Sequence, residues 1–209
     1  MADILCYGDS NTWGYDPRTQ GRYPRDVRWT GVLRDALGQG YFVIAEGLNG
    51  RTTVWEDPIE PPCKCGLDYL LPCLASHAPI DLVILMLGTN DLKLRHSLGA
   101  FDIARGAGVL GKEVLRSESG PQGAPPELLL VAPPPLAKLG DFADMFAGGP
   151  IKSRRFGVQY AQVAKELGCH FLDADDVVST SDSDGVHWEP KGHKSFGLAV
   201  AERVREILA

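Results

Sequence analysis

Five stretches of the chain are apolar without a helical period: Ile4-Leu5-Cys6-Tyr7, Tyr41 to Ala45, Ile80 to Leu87, Glu127 to Ala132 and Cys169 to Asp173. They are too short for ordinary helices, and Tyr41 to Ala45 is aromatic and β-branched, so each predicts a strand. Leu82 to Leu87 is apolar at every position, as a parallel strand covered on both faces should be. Between the runs, apolar positions recur at helical spacing. Trp29, Leu33 and Leu37 form one such stripe; Leu67, Leu70, Leu71 and Leu74 form the next. Ile103, Ala107, Leu110 and Val114 follow, then Phe156, Tyr160, Val163 and Leu167. A closing helix from Glu189 to Ala209 buries Phe196, Leu198, Val200, Val204 and Ile207, with Pro190 suited to its first turn. Strands alternating with helices predict an α/β protein: a three-layer α/β/α sandwich with a five-stranded parallel sheet, flavodoxin-like, in one domain over residues 1–209.

Two segments break the alternation. Prolines at 58, 61 and 62 make residues 56–66 a stiff loop that could wall a pocket or meet another subunit. Residues 136–147 are too apolar for a free loop and have no period. They fit the mouth of a site, a subunit contact or the core.

Composition narrows the partners. There are 21 basic and 27 acidic residues, a net charge of −6, and no basic cluster longer than Lys152-Ser153-Arg154-Arg155. Nucleic acid, which needs a basic face, is not expected. No apolar stretch approaches a membrane span, and Asp3 stands where a leader would carry positive charge, so the expectation is a cytoplasmic protein. The odd set Cys6, Cys63, Cys65, Cys73 and Cys169 does not suggest a disulfide framework, and Cys63-Lys64-Cys65 lacks a second ligand pair at zinc spacing.

Candidate chemistry lies at the strand tips. Ser10 follows the first strand in Gly8-Asp9-Ser10, where an open α/β sheet faces its crevice, although Asp9 or Ser10 could equally cap a helix. Asp184-Gly185-Val186-His187 places a carboxylate three residues before an imidazole, in a loop that can aim both at one point. A serine hydroxyl needs a base, and the base needs a partner to fix its tautomer; Ser10, His187 and Asp184 supply these roles. Asn90, just beyond the third strand, offers amide donors to an oxyanion. Asp91 beside it reads as a cap of the following turn. His77 and His170 read as structural, and His96 as surface or pocket rim. His193 lies within the last helix without an Asp three residues before it.

Gly8-Asp9-Ser10, the glycine in Glu46-Gly47-Leu48-Asn49-Gly50-Arg51-Thr52, Gly88-Thr89-Asn90-Asp91 and Asp184-x-x-His187 occur in the order of the SGNH (GDSL-type) hydrolases. The chain resembles their bacterial arylesterase/acyltransferase/perhydrolase branch through Asp26 to Leu33, Arg51-Thr52-Thr53 and Pro133-Pro134-Pro135-Leu136. The resemblance implies a serine esterase for small-molecule esters with no metal or other cofactor. It also implies that Gly50 gives its N–H to the oxyanion with Ser10 and Asn90, and that the protein is a homo-oligomer. Trp13, Trp55 and Leu136 are expected to wall a narrow pocket that favours acyl transfer to alcohols. Open alternatives are a carbohydrate acetylesterase, a thioesterase or a lipase on the same triad, a silent binding module, and a metal phosphoesterase using Asp9, Asn90 and His187.

Overall fold

Strand side chains alternate between two faces, so a sheet apolar on both faces needs helices on both. The computed structural model describes all residues, Met1–Ala209, and has this arrangement. Strands β1 (Ala2–Gly8), β2 (Tyr41–Gly47), β3 (Leu82–Met86), β4 (Glu127–Ala132) and β5 (His170–Asp173) form one parallel sheet in the order β2-β1-β3-β4-β5. Leu5, Tyr7, Val83, Leu85, Leu128 and Leu130 project to one face. There they pack against α3 (Gly66–His77), α4 (Ala100–Arg116) and α6 (Phe156–Leu167). Ile4, Cys6, Ile84, Met86, Leu129 and Val131 point the other way, onto α2 (Trp29–Leu37) and α7 (Pro190–Ile207).

Two short helices were not foreseen: α1 (Ser10–Trp13), directly after β1, and α5 (Gly149–Ser153), where Pro150 occupies the first turn. Four or five residues carry no readable period. Helix α3 continues through Pro72 because Leu70, Cys73 and Leu74 are fully buried against the sheet, offsetting the missing donor. Leu198, expected in the buried stripe of α7, is instead 45% exposed.

The strand order sets the position of the site. From β1 the chain crosses to β2 on one side, then returns to β3 on the other. The connections therefore diverge above the carboxyl ends of β1 and β3, leaving a crevice there. Ser10, Gly50 and Asn90 each follow one of these three adjacent strands.

Candidate active site

The turn after β1 resolves the competing readings of Asp9 and Ser10. Asp9 is the cap, its Oδ1 accepting from Asn11 N–H at 3.0 Å, and Ser10 is the first residue of α1 with its hydroxyl free for other use. That hydroxyl lies 2.9 Å from Nε2 of His187. On the far side of the ring, Nδ1 is 2.6 Å from Oδ2 of Asp184. The backbone N–H groups of Val186 and His187 both donate to Asp184 Oδ1 at 2.9 Å, so the carboxylate is fixed before it orients the ring. Burial pushes the Asp184 carboxyl up, but the His187 contact and the two backbone donors outweigh it and hold it below the usual range. The loop reaches this shape through Gly185, whose φ of +74° suits a residue without Cβ. One side chain ties the loop to the Ser10 turn: Asn11 donates to Val186 O at 3.3 Å and accepts from Trp188 N–H at 3.1 Å.

Gly50 and Asn90 face the same cavity as Ser10 and His187, a space of about 170 Å³. Gly50 has φ +79°, which strains any residue with a Cβ, and a Cβ there would lie 2.2 Å from Oε2 of Glu60 and push that carboxylate aside. The backbone N–H groups of Ser10 and Gly50 donate to no backbone carbonyl. Asn90 donates one amide hydrogen to Arg51 O at 3.0 Å and has a second for the cavity. Arg51 is 3% exposed. It donates to Gly8 O at 2.9 Å and to Glu46 O, and lies 4.2 Å over the Tyr7 ring, locking the Gly50 loop to β1.

Asp91 corrects one expectation. It caps nothing; its fully buried carboxylate accepts from Thr53 N–H at 3.1 Å and Thr53 Oγ1 at 2.5 Å, clamping the loop after β2 to the tip of β3. Burial raises its carboxyl to about 6 even though the Thr53 bonds act downward.

The pocket wall also differs from expectation. Trp13 lies under the Arg22 guanidinium at 4.6 Å, Trp55 is 41% exposed, and Leu136 is buried in the core; none lines the cavity. Tyr15, Phe142, Met145 and Phe146 form the apolar side instead. Tyr15 stacks on His187 with centroids 4.2 Å apart and Phe142 meets it edge-on at 6.4 Å. The segment 136–147 therefore does reach the site, but through its later residues. Tyr15 sits in a polar loop, and no period or motif marks it.

The other histidines are engaged elsewhere. His77 pairs with Glu46 at 3.0 Å, and His170 lies 3.3 Å from Glu127. His96, a partly buried residue, turns its side chain inward to lie 3.9 Å from Asp57. His193 is fully buried and accepts from Trp29 N–H at 3.3 Å. The ligand set Asp9, Asn90 and His187 is committed otherwise: Asp9 to Asn11, Asn90 to Arg51, His187 to Ser10 and Asp184. Cys63 is exposed and Cys65 buried, both as free thiols. The one converging ligand group, Glu46, Cys73 and His77, is drawn together by the Glu46–His77 contact.

Residues 6–194 match the model of the GDSL-like lipase/acylhydrolase family. A search of curated proteins finds no significant match. Among solved structures, an aryl esterase of M. smegmatis is 42% identical, covers 99% of this chain and 100% of its own, and superposes with a TM-score of 0.94. A carbohydrate acetylesterase of Sinorhizobium meliloti is 40% identical over 99% of this chain and 100% of that one, with a TM-score of 0.94. A putative arylesterase of Agrobacterium tumefaciens is 42% identical over 99% and 100%, with a TM-score of 0.92.

Proposed function

The chain belongs to the GDSL-like lipase/acylhydrolase family, and on that premise we propose that it is a serine esterase that cleaves short-chain carboxylic esters through an acyl-enzyme. The observation that carries the reading is His187 bridging Ser10 and Asp184 at 2.9 and 2.6 Å. With Nδ1–H directed at the ionised Asp184, Nε2 presents its lone pair to the Ser10 hydroxyl. It takes that proton as Oγ attacks the ester carbonyl. The oxyanion receives the N–H groups of Ser10 and Gly50 and the second amide hydrogen of Asn90. Collapse expels the alcohol, which His187 protonates, and water activated by the same nitrogen releases the acid.

Transfer of the acyl group to an alcohol or a peroxide is the finer part of the proposal. Tyr15 and Phe142 beside His187 give an apolar alcohol a wall to bind, whereas water gains nothing from it. The experiment is hydrolysis of an aryl acetate with and without benzyl alcohol, together with labelling of Ser10 by an organophosphate. Hydrolysis with labelling supports the esterase; an unlabelled, inactive protein would be a binding module. Free acid as the sole product at every benzyl alcohol concentration removes acyl transfer alone. The equally close likeness to the S. meliloti carbohydrate acetylesterase favours one second reading, an acetylated sugar as the substrate, which a panel of sugar acetates run beside aryl acetates would separate.

A further inference from the structure

Loop 57–60 carries two carboxylates, Glu60 on the wall of the cavity that holds Ser10 and Asp57 buried behind it. Asp57 is 2% exposed. It accepts from Ile59 N–H at 3.0 Å and Glu60 N–H at 3.2 Å, and faces Lys93 Nζ at 3.3 Å and Arg95 Nε at 3.1 Å. Burial would raise its carboxyl, but these donors prevail and hold it down to about 2. Glu60 presents Oε1 to Lys93 and to Arg95, the latter at 3.3 Å. Its Oε2 makes none of these bonds and lies beside Gly50. Lys93, its side chain only 2% exposed, lines the cavity together with Glu60. Lys64 approaches Gly50 as well, its ammonium donating to Asn49 O at 2.7 Å. The arrangement is a stiff, charge-matched wall with one carboxylate oxygen left facing the site.

The inference rests on the esterase reading of Ser10. The carbonyl oxygen then lies at Ser10, Gly50 and Asn90, and the leaving alcohol at His187, between Tyr15 and Phe142. The acyl group is left with the remaining wall, which is Asn49, Glu60, Lys93, Met145, Phe146 and Val186. We propose that Glu60, held in place by Lys93 and Arg95, determines acyl specificity: it admits short neutral acyl groups and excludes those carrying a carboxylate. Two effects act together. An anionic acyl group would lose its hydration in a half-closed pocket, and it would meet the free Oε2 at short range while Lys93 is already paired.

Ethyl butyrate and monoethyl succinate share a four-carbon acyl chain and differ at its end, a methyl group against a carboxylate. The wild-type protein should favour the butyrate in kcat/KM by at least about tenfold. Glu60→Gln leaves Lys93 with Asp57 as its one carboxylate partner and should shrink that preference by about tenfold; Lys93→Met leaves Glu60 with Arg95 as its one cationic partner and should widen it. Opposite shifts are the signature of charge selection, since loss of loop rigidity would move both variants the same way. Should Lys93→Met not fold, Glu60→Gln decides alone. An unchanged preference in folded Glu60→Gln that still hydrolyses ethyl butyrate, or a shift in the same direction in both variants, overturns the proposal. A wild-type protein that hydrolyses neither ester and is not labelled at Ser10 overturns the esterase reading, and this inference with it.

Discussion

Ser10, His187 and Asp184 are joined by two hydrogen bonds, and groups that act as a unit do not lose activity additively. Ser10→Ala and His187→Ala should each abolish hydrolysis of an aryl acetate, and the double variant should be no worse. Asp184→Asn should retain more. Asn90→Ala should lower kcat by roughly 10²–10³-fold with little change in KM, because its amide meets a charge that exists only in the transition state; a loss mainly in KM would make it a substrate-binding residue. His193 yields a prediction about stability. Burial, with smaller contributions from His187 and Arg28, lowers its pKa from 6.5 to about 4. Between these values the unfolded chain binds the proton and the native state does not, so this contribution is complete above about 6.5 and is lost as pH falls towards 4. The difference is about 3 kcal/mol. Denaturant titrations from pH 7 to 4 should therefore show a shallower acid loss for His193→Phe than for the wild type; parallel curves would contradict it. Ser10, Asn90, Asp184 and His187 could be named as one candidate constellation from the sequence because Ser10 and Asn90 follow strands directly and Asp184 stands three residues before His187. Asp91 was misread because its partner, Thr53, is distant in sequence and adjacent only once β2 and β3 have been placed.

At the level of elements, the loop carrying Gly50 is held from three directions: Arg51 to β1, Asn90 to Arg51 O, and Asp91 to Thr53. Asp91→Ala removes one restraint without touching the cavity. It should lower kcat about tenfold with KM nearly constant, since a displaced N–H costs most where charge develops. Asp91→Asn, which can still accept from Thr53 N–H, should recover much of this; equal losses in both variants would mean that bulk, not hydrogen bonding, is what matters. Asp91 has the opposite pH sign to His193. Its carboxyl, raised to about 6, holds a proton in the folded state above its unfolded value, so it favours folding at low pH and ceases to do so as pH rises through 6. The strands and long helices were readable because a sheet covered on both faces leaves short unbroken apolar runs and amphipathic helices leave a period of 3.6 in the chain. Helices α1 and α5 are too short to leave one. The cavity wall was readable only as segments: Glu60 and Phe142 fall within 56–66 and 136–147, but which side chains reach the cavity, and that Tyr15 does, is set by tertiary contacts of irregular chain.

Across the whole molecule, the salt bridges of loop 57–60 and the bond from Leu94 N–H to Met145 O at 2.8 Å join three segments around the cavity. On them Ile59, Leu94 and Met145 are 71%, 51% and 37% exposed. A stiff apolar rim of this kind loses little entropy on docking, and we expect a homo-oligomer that uses it. Light scattering should give a mass above that of one chain at micromolar concentration and a smaller one for Ile59→Glu with Leu94→Glu; a wild-type monomer would contradict this. Oligomerisation leaves no period in a sequence, so it was expected largely from resemblance, with 56–66 and 136–147 as the segments suited to a contact. The Ser10–His187 contact spans 177 residues, and the Asn11 bridge to Val186 and Trp188 spans almost the same distance. On a ribosome adding roughly 5–20 residues per second, the serine emerges on the order of ten seconds or more before its base. Throughout that interval the Ser10 hydroxyl has no imidazole beside it, and the two ends of the chain meet only once the sheet that positions them has been made.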